Sequence, residues 1–355
     1  MKMRKNIIQA AVPFLSILCA LFIGGIIIIC LGKNPLEAYG FLVQGALGSP
    51  QMLAQTLVVA CPLIFTALAA AFAYRSGVFN LGGEGQFIMG ACASIMFCSY
   101  TNITGAMGII GSLLCGIVAG GVWGAIPGIL KIGRGLNEMI VSIMLNYVAT
   151  LFMGYLFTNL LRDGSTPQTA AVDDSLKLAR FSDAFRVHWG VWTAMLLAVI
   201  LTYFLFKTSL GFKIRAVGLN VVAAKFGGFP ANKLVLLSFV LSGMIAGLGG
   251  SVELHGKQYR LMSGFGNGFG FDGVAIALIA QLHPVGSLLV AIFFAILRKG
   301  SSTLQTGMKI PTSVVDIIQA LIIVFAVAGT ALVRQGAIQR FLQKAKKGKE
   351  KEATS

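Results

Sequence analysis

Lys207–Lys233 reads KTSLGFKIRAVGLNVVAAKFGGFPANK and is flanked by two apolar runs, Val191–Phe206 and Leu234–Leu248. It carries Lys207, Lys213, Arg215, Lys225 and Lys233 and no acidic residue. A short loop rich in Lys and Arg between apolar spans marks the cytoplasmic side of a membrane. The stretch is too long for a tight turn. Ala216, Val217, Leu219, Val222, Ala223 and Phe226 recur at roughly helical spacing. The spacing predicts a short amphipathic helix at the inner membrane surface, which either holds topology by its charge alone or docks a cytoplasmic partner.

The rest of the chain supports a membrane setting. Its 355 residues are 56% hydrophobic and only 11% charged, against roughly 25% charged in a soluble domain. The net charge of +16 suggests nucleic acid at first sight, but the charge is not gathered on one folded face. It sits at Lys2, Arg4 and Lys5, in the opening loop, and in a basic tail over residues 344–355. Those positions set topology and meet an anionic lipid surface. Cys19, Cys30, Cys61, Cys92, Cys98 and Cys115 lie in apolar segments without a CxxC pair. They read as small buried hydrophobes rather than disulfides or metal ligands. The run Ile7–Leu31 is too long for the apolar core of a signal peptide and reads as an uncleaved first span.

A membrane helix needs about 20 apolar residues. The expected spans are Ile7–Leu31, Gln51–Tyr74 with Pro62 as a kink, Phe87–Tyr100, Gly105–Ile132, Glu138–Leu161, Gly190–Phe206, Leu234–Glu253 and Val314–Val333. Asn34–Pro50 reads as an outer, partly re-entrant segment, and Arg75–Gln86 as a polar, Gly-rich break. The glycines of Gly105–Ile132 (Gly111, Gly116, Gly120, Gly121, Gly124) predict close helix approach. The mixed-charge loop Arg162–Trp189 falls outside by parity. Phe271–Leu282, the His283-Pro284 turn and Pro284–Leu297 read as a hairpin, a short buried helix inward and then a helix outward. The expected fold is an all-α polytopic membrane protein of about ten helical segments, some short or discontinuous, with both ends cytoplasmic. The expected domains are a transmembrane permease domain over 1–343 and the tail over 344–355. This arrangement places Arg298 and Lys299 outside, against the usual charge bias. A faint internal echo joins KIGRGLN (Lys131–Asn137) to KIRAVGLN (Lys213–Asn220), as duplicated transporter halves would give.

The chain shows no catalytic apparatus. It contains no GxxxxGK[ST] and no HExxH, and the three histidines (His188, His255, His283) lie scattered near span ends. Gly268, Gly270 and Gly273 match GxGxxG, but no strand precedes them. No metal site is expected. The candidates for a translocation pathway are polar or aromatic residues at membrane depth: Phe79, Asn80, Glu84, Gln86, Glu138, Asn146, Phe271 and Asp272. Glu138 and Asn146 are eight apart and share a helix face. An ionisable group at bilayer depth costs about 2.5 kcal/mol or more, so it faces a cavity or a partner. Such groups either satisfy broken helix ends or line a pathway. Phe79, Phe87, Phe265, Phe269 and Phe271 could stack on a flat ring, or pack a core.

AFAYRSGVFNLGGEGQFIMGA (Ala71–Ala91), NEMIVSIMLNYVA (Asn137–Ala149), TSLGFKIRAVGLNVVAAKFGG (Thr208–Gly228), GFGFDGVAIAL (Gly268–Leu278) and IPTSVVDIIQALIIVFA (Ile310–Ala326) together resemble the permease subunits of ATP-binding-cassette (ABC) importers for ribose-type sugars and nucleosides. Asn80-Leu81-Gly82-Gly83-Glu84-Gly85-Gln86 is closer to the nucleoside branch than to the Asp-Leu-Ser form of ribose permeases. The family's usual Asn-Pro turn is His283-Pro284 here. The resemblance implies the ABC importer permease fold in a bacterial cytoplasmic membrane and a nucleoside substrate. It also implies a related second permease, ABC ATPase subunits that hydrolyse ATP in place of this chain, and an extracytoplasmic substrate-binding lipoprotein. No cofactor of its own is implied. Lys213, Arg215, Val217, Gly218, Leu219 and Asn220 would form the coupling loop, with Gly218 letting the ATPase approach. The alternatives are a simple-sugar permease of the same class, or a proton-coupled secondary transporter using Glu84, Glu138 or Asp272.

Overall fold

The computed structural model of the protein describes residues 2–182, 185 and 187–334. The tail over 344–355 therefore lies outside the described residues. Thirteen α-helices are present among them, and the sole sheet there is a two-stranded hairpin, β1 (Arg180–Ser182) and β2 (Val187–His188). Seven of these helices are long and apolar enough to cross a membrane, or eight spans if the bent pair at the start counts as one.

The chain divides into two compact units. One comprises residues 1–45 and 300–355. In it α1 (Lys2–Cys30) packs along α13 (Thr312–Arg334). Gly24 on α1 makes room for Ile318, whose Cγ1 stands 2.5 Å from where a Cβ at Gly24 would lie. After α1 the chain turns through 115° into α2 (Pro35–Leu47). The Tyr39 hydroxyl donates to the Leu21 carbonyl across that bend. The segment expected as partly re-entrant, Asn34–Pro50, is this folded-back helix.

The other unit, residues 46–299, holds the broken helices. α3 (Pro50–Arg75) starts with proline in its first turn and Ser49 as N-cap, whose Oγ accepts from Met52 N at 3.2 Å. It contains Pro62 and is buried along its C-terminal half. α4 (Gly83–Tyr100) starts earlier than expected, inside the stretch read as a polar break. The true break is residues 76–82. α5 (Gly105–Arg134), α6 (Glu138–Tyr155), α7 (Trp189–Lys207) and α10 (Ala231–Glu253) match the expected spans closely. A Cβ on Gly120 would lie 2.7 Å from Gly247 Cα, and one on Gly124 would lie 2.6 Å from the Phe239 carbonyl oxygen. The glycine stripe of α5 thus allows backbone-to-backbone packing on α10.

Two expectations change in this unit. The single amphipathic helix is two, α8 (Ser209–Leu219) and α9 (Val221–Phe226), broken at Asn220. The Asn220 side chain accepts from Ala223 N at 3.0 Å and so caps the second helix. Leu219 (88% exposed) and Phe226 (89% exposed) are consequently not its core. The helix after His283-Pro284 does not stop at Leu297. α12 runs Pro284–Met308, so Arg298 and Lys299 lie within a helix instead of closing an outer loop. The echo aligning Asn137 with Asn220 has a local meaning: Asn137 likewise caps α6 by accepting from Met139 N at 2.9 Å.

Candidate functional site

The break between α3 and α4 is held by side chains that bond its backbone. Gly77 takes φ +75, a conformation that glycine adopts without strain. Asn80 is 2% exposed. Its Nδ2 donates to Gln86 Oε1 at 3.1 Å and to Ser242 Oγ at 2.9 Å. Its Oδ1 accepts from Gly82 N at 2.9 Å. Ser242, on α10, passes the connection on by donating to the Ala69 carbonyl at 2.9 Å. Asn146, buried on α6, accepts from Gly85 N at 2.8 Å and donates to the Leu81 carbonyl at 2.9 Å. Asn80 and Asn146 therefore bond the broken backbone directly, and Gln86 braces Asn80, so these buried polar groups are paired.

Glu84 does the same work across the fold. Its carboxylate accepts from Gly268 N at 3.1 Å and Gly270 N at 2.6 Å, the N–H groups opening α11 (Phe269–Ile279). A carboxylate is favoured there because a helix start presents unpaired N–H groups and the positive end of its dipole. Glu84 also stands in the first turn of α4. One carboxylate thus serves the starts of two broken helices. Next to it Asp272 pairs with Arg298 at 2.6 Å. Arg298 also donates to the Asn267 carbonyl at 3.2 Å and lies 5.0 Å from the centre of the Phe269 ring. The other end of α11 is held by Arg75, which donates to the carbonyls of Leu282 (3.0 Å) and Gln281 (3.1 Å). Both of those residues have positive φ.

The remaining candidates separate. Glu138 does not join Asn146, although both stand on α6. It pairs with Lys131 at the end of α5. Phe87, Phe265 and Phe269 are buried and pack on one another at 5.7–5.9 Å between centroids of neighbouring pairs. Phe79 and Phe271, about half exposed, are the two of the five that present a ring outward. A groove of about 270 Å³ lined by Phe72, Leu201, Phe204 and Met244 is almost wholly apolar. It lacks the convergent polar groups that a polar solute needs. Among the described residues no group of His, Cys, Asp and Glu is placed to hold a metal.

Several buried polar residues escaped the sequence reading. Ser94, Ser112, Ser251 and His255 form one buried chain. Ser94 and Ser251 hydroxyls meet at 2.7 Å, Ser112 Oγ lies 2.6 Å from His255 Nε2, and His255 Nδ1 lies 2.9 Å from the Leu176 carbonyl oxygen. His255, near a span end in sequence, is thus an internal tie. Glu253, fully buried, pairs with Lys257 at 3.3 Å and accepts from Gln258 at 3.1 Å. Single serines in apolar helices give no periodic signal. Only the pairing across helices reveals them.

The α8–α9 corner has an inner and an outer face. Ile214 and Val217 are fully buried. A Cβ at Gly218 would fall on the Arg75 carbonyl and 2.9 Å from Gly77 N. Gly218 therefore admits the chain's own α3 end. Val217 is closed to any outside surface, and Gly218, partly exposed, turns the side of its Cβ position to the chain's own backbone. Arg215 turns inward too, 5.2 Å from the centre of the Phe206 ring. Outward stand Phe212 (56% exposed), Leu219, Val222 and Phe226.

Comparison with known proteins bears on the whole of this arrangement. Residues 52–327 match the family described as branched-chain amino acid transport system / permease component. The guanosine ABC transporter permease protein NupP of Bacillus subtilis (strain 168) is 34% identical over 336 residues, covering 93% of this chain and 96% of its own length. The nucleoside ABC transporter permease protein NupB of Lactococcus lactis subsp. cremoris (strain MG1363) is 34% identical over 365 residues, with 98% and 96% covered. The glucose ABC transporter permease protein TsgB13 of Haloferax volcanii is 34% identical over 331 residues, with 89% and 86% covered. With the family match spanning most of the chain and these relatives aligned almost end to end, the protein belongs to this family of multi-pass ABC transporter permeases.

Proposed function

We propose that this chain is the membrane-spanning permease of an ATP-driven importer that carries nucleosides across the bacterial cytoplasmic membrane. The substrate class rests on the near end-to-end similarity to NupP and NupB. The coupling role rests on the α8–α9 corner. Leu219, Val222 and Phe226 stand far out on a basic connection between spans, where a solvated loop would carry polar residues. Exposed apolar clusters rimmed by charge mark protein partners. The partner we assign is an ABC ATPase, with Lys213 as a basic group at the edge of the contact and ATP hydrolysed there rather than by this chain. A second related permease completes the membrane pore, and an extracytoplasmic substrate-binding lipoprotein delivers solute.

The loop charges support a reading in which α8, α9 and both ends of the chain are cytoplasmic. Phe79 and Phe271 are the pathway residues this reading favours, because their rings are open to a flat solute. Asn80, Glu84, Gln86, Asn146 and Asp272 shape the pathway by fixing the broken helices, whereas Glu138 ties the start of α6 to the end of α5. A simple-sugar substrate is the second reading, favoured by the similarity to TsgB13. Proton coupling through Glu84, Glu138 or Asp272 is disfavoured, since each carboxylate is already engaged.

The test is uptake by proteoliposomes holding the assembled complex, loaded with ATP and offered tritiated guanosine. Uptake that unlabelled nucleosides compete away and glucose does not supports the proposal. Competition by glucose alone moves the assignment to sugars.

A further inference from the structure

Phe206, the penultimate residue of α7, collects contacts from three other elements. The His283 ring stacks on it, with centroids 5.2 Å apart and planes inclined by 19°. The Arg75 guanidinium carbon lies 5.4 Å from the ring centre and that of Arg215 lies 5.2 Å from it. These groups come from the end of α3, from α8, and from the turn between α11 and α12. Arg75 also holds the Gln281 and Leu282 carbonyls of that turn. Arg215 Nε is buried with no hydrogen-bond partner among the described residues, so an aromatic face is the favourable contact present for its charge. Burial first, and then the Arg75 charge, push the His283 pKa below its ordinary value. A neutral imidazole can stack there without adding a third cation.

We propose that Phe206 is a positioning residue that ties the α8 corner to the C-terminal end of the broken helix α11. The inference rests on the reading of α8–α9 as the ATPase dock and adds how displacement of that dock reaches the pathway. α11 has eleven residues and is about 16 Å long at the helical rise. Its far end meets Glu84 and, through Asp272, Arg298. Movement imposed on α8 bears on Arg215 and on the Gly218 backbone, then on Phe206 and Arg75, then on residues 281–283. The ring matters for its face as well as its volume. Leucine would fill much of the space but offers guanidinium groups no π-system.

The experiment compares wild type, Phe206→Leu and Phe206→Tyr in the complete complex reconstituted into proteoliposomes. It measures ATPase retained on purification, ATP hydrolysed, and tritiated guanosine imported per ATP. Phe206→Leu is expected to retain the ATPase and its hydrolysis while import per ATP falls at least fivefold, and Phe206→Tyr to restore most of it. The linkage is overturned if Phe206→Leu imports as much per ATP as wild type. It is also overturned if Phe206→Tyr does no better than Phe206→Leu, or if Phe206→Leu sheds the ATPase, which would make the residue part of docking. A wild-type chain that never retains the ATPase overturns the docking reading instead. If wild type imports glucose and not guanosine, the substrate assignment fails, and the same comparison is read with glucose.

Discussion

The Gly270 amide donates to the Glu84 carboxylate at 2.6 Å, while a Cβ on Gly270 would fall on the Glu84 backbone nitrogen. The starts of α4 and α11 therefore meet at a contact that only glycine permits. Gly270→Ala is expected to destabilise the fold by about 1–3 kcal/mol through overpacking. Glu84→Gln, which keeps the shape but removes the charge and sets an NH2 donor against one of the two N–H groups, should cost about 1–3 kcal/mol. Thermal unfolding in detergent checks both. Unchanged stability in Gly270→Ala would show that the two starts are not in contact.

The two faces of the α8–α9 corner should respond differently. Gly218→Trp collides with the Arg75–Gly77 backbone, so the expected outcome is poor accumulation of the permease itself. Leu219→Asp and Phe226→Asp change residues almost fully exposed. They should leave accumulation normal and reduce ATPase co-purification several-fold. If ATPase retention were insensitive to both aspartates, the docking face would lie elsewhere.

Orientation can be read with an impermeant thiol reagent in a background lacking the six native cysteines. Cysteine at Lys213 should stay unlabelled in intact cells and react after permeabilisation. Cysteine at Asp173, beyond α6 in the mixed-charge loop, should react without it. The reverse pattern would turn the protein over and remove the ATPase contact.

His188, at the entry to α7, is buried with both ring nitrogens lacking a partner among the described residues. Burial, helped by the charge of Lys257, pushes its pKa down to about 4. The ordinary imidazole value is about 6.5, so between these values the unfolded chain binds the extra proton. Stability rises with pH through this window. It is complete above about 6.5 and is lost as pH falls towards 4, by on the order of 3 kcal/mol. Unfolding midpoints measured from pH 7 to pH 4 should fall more steeply for wild type than for His188→Phe. Parallel curves would remove His188 as the cause.

The spans, their order, the basic loop and the family resemblance were legible in the sequence. Hydropathy and loop charge are local sums, and a helix in lipid must satisfy its own backbone within one segment. The N-cap role of Asn220 needed only its neighbours, yet it was hidden by an apolar pattern that ran on across the break. What the polar residues do was decided by tertiary structure. Glu84 accepts from a backbone N–H 186 residues away, Arg75 meets Leu282 across 207, and Asn80 meets Ser242 across 162. Val217 and Leu219 are two residues apart and equally apolar, and the packing of α8 on the end of α3 buries one and leaves the other 88% exposed. Burial and hydrogen-bond partners depend on which distant backbone arrives at a given side chain, and no local pattern carries that information.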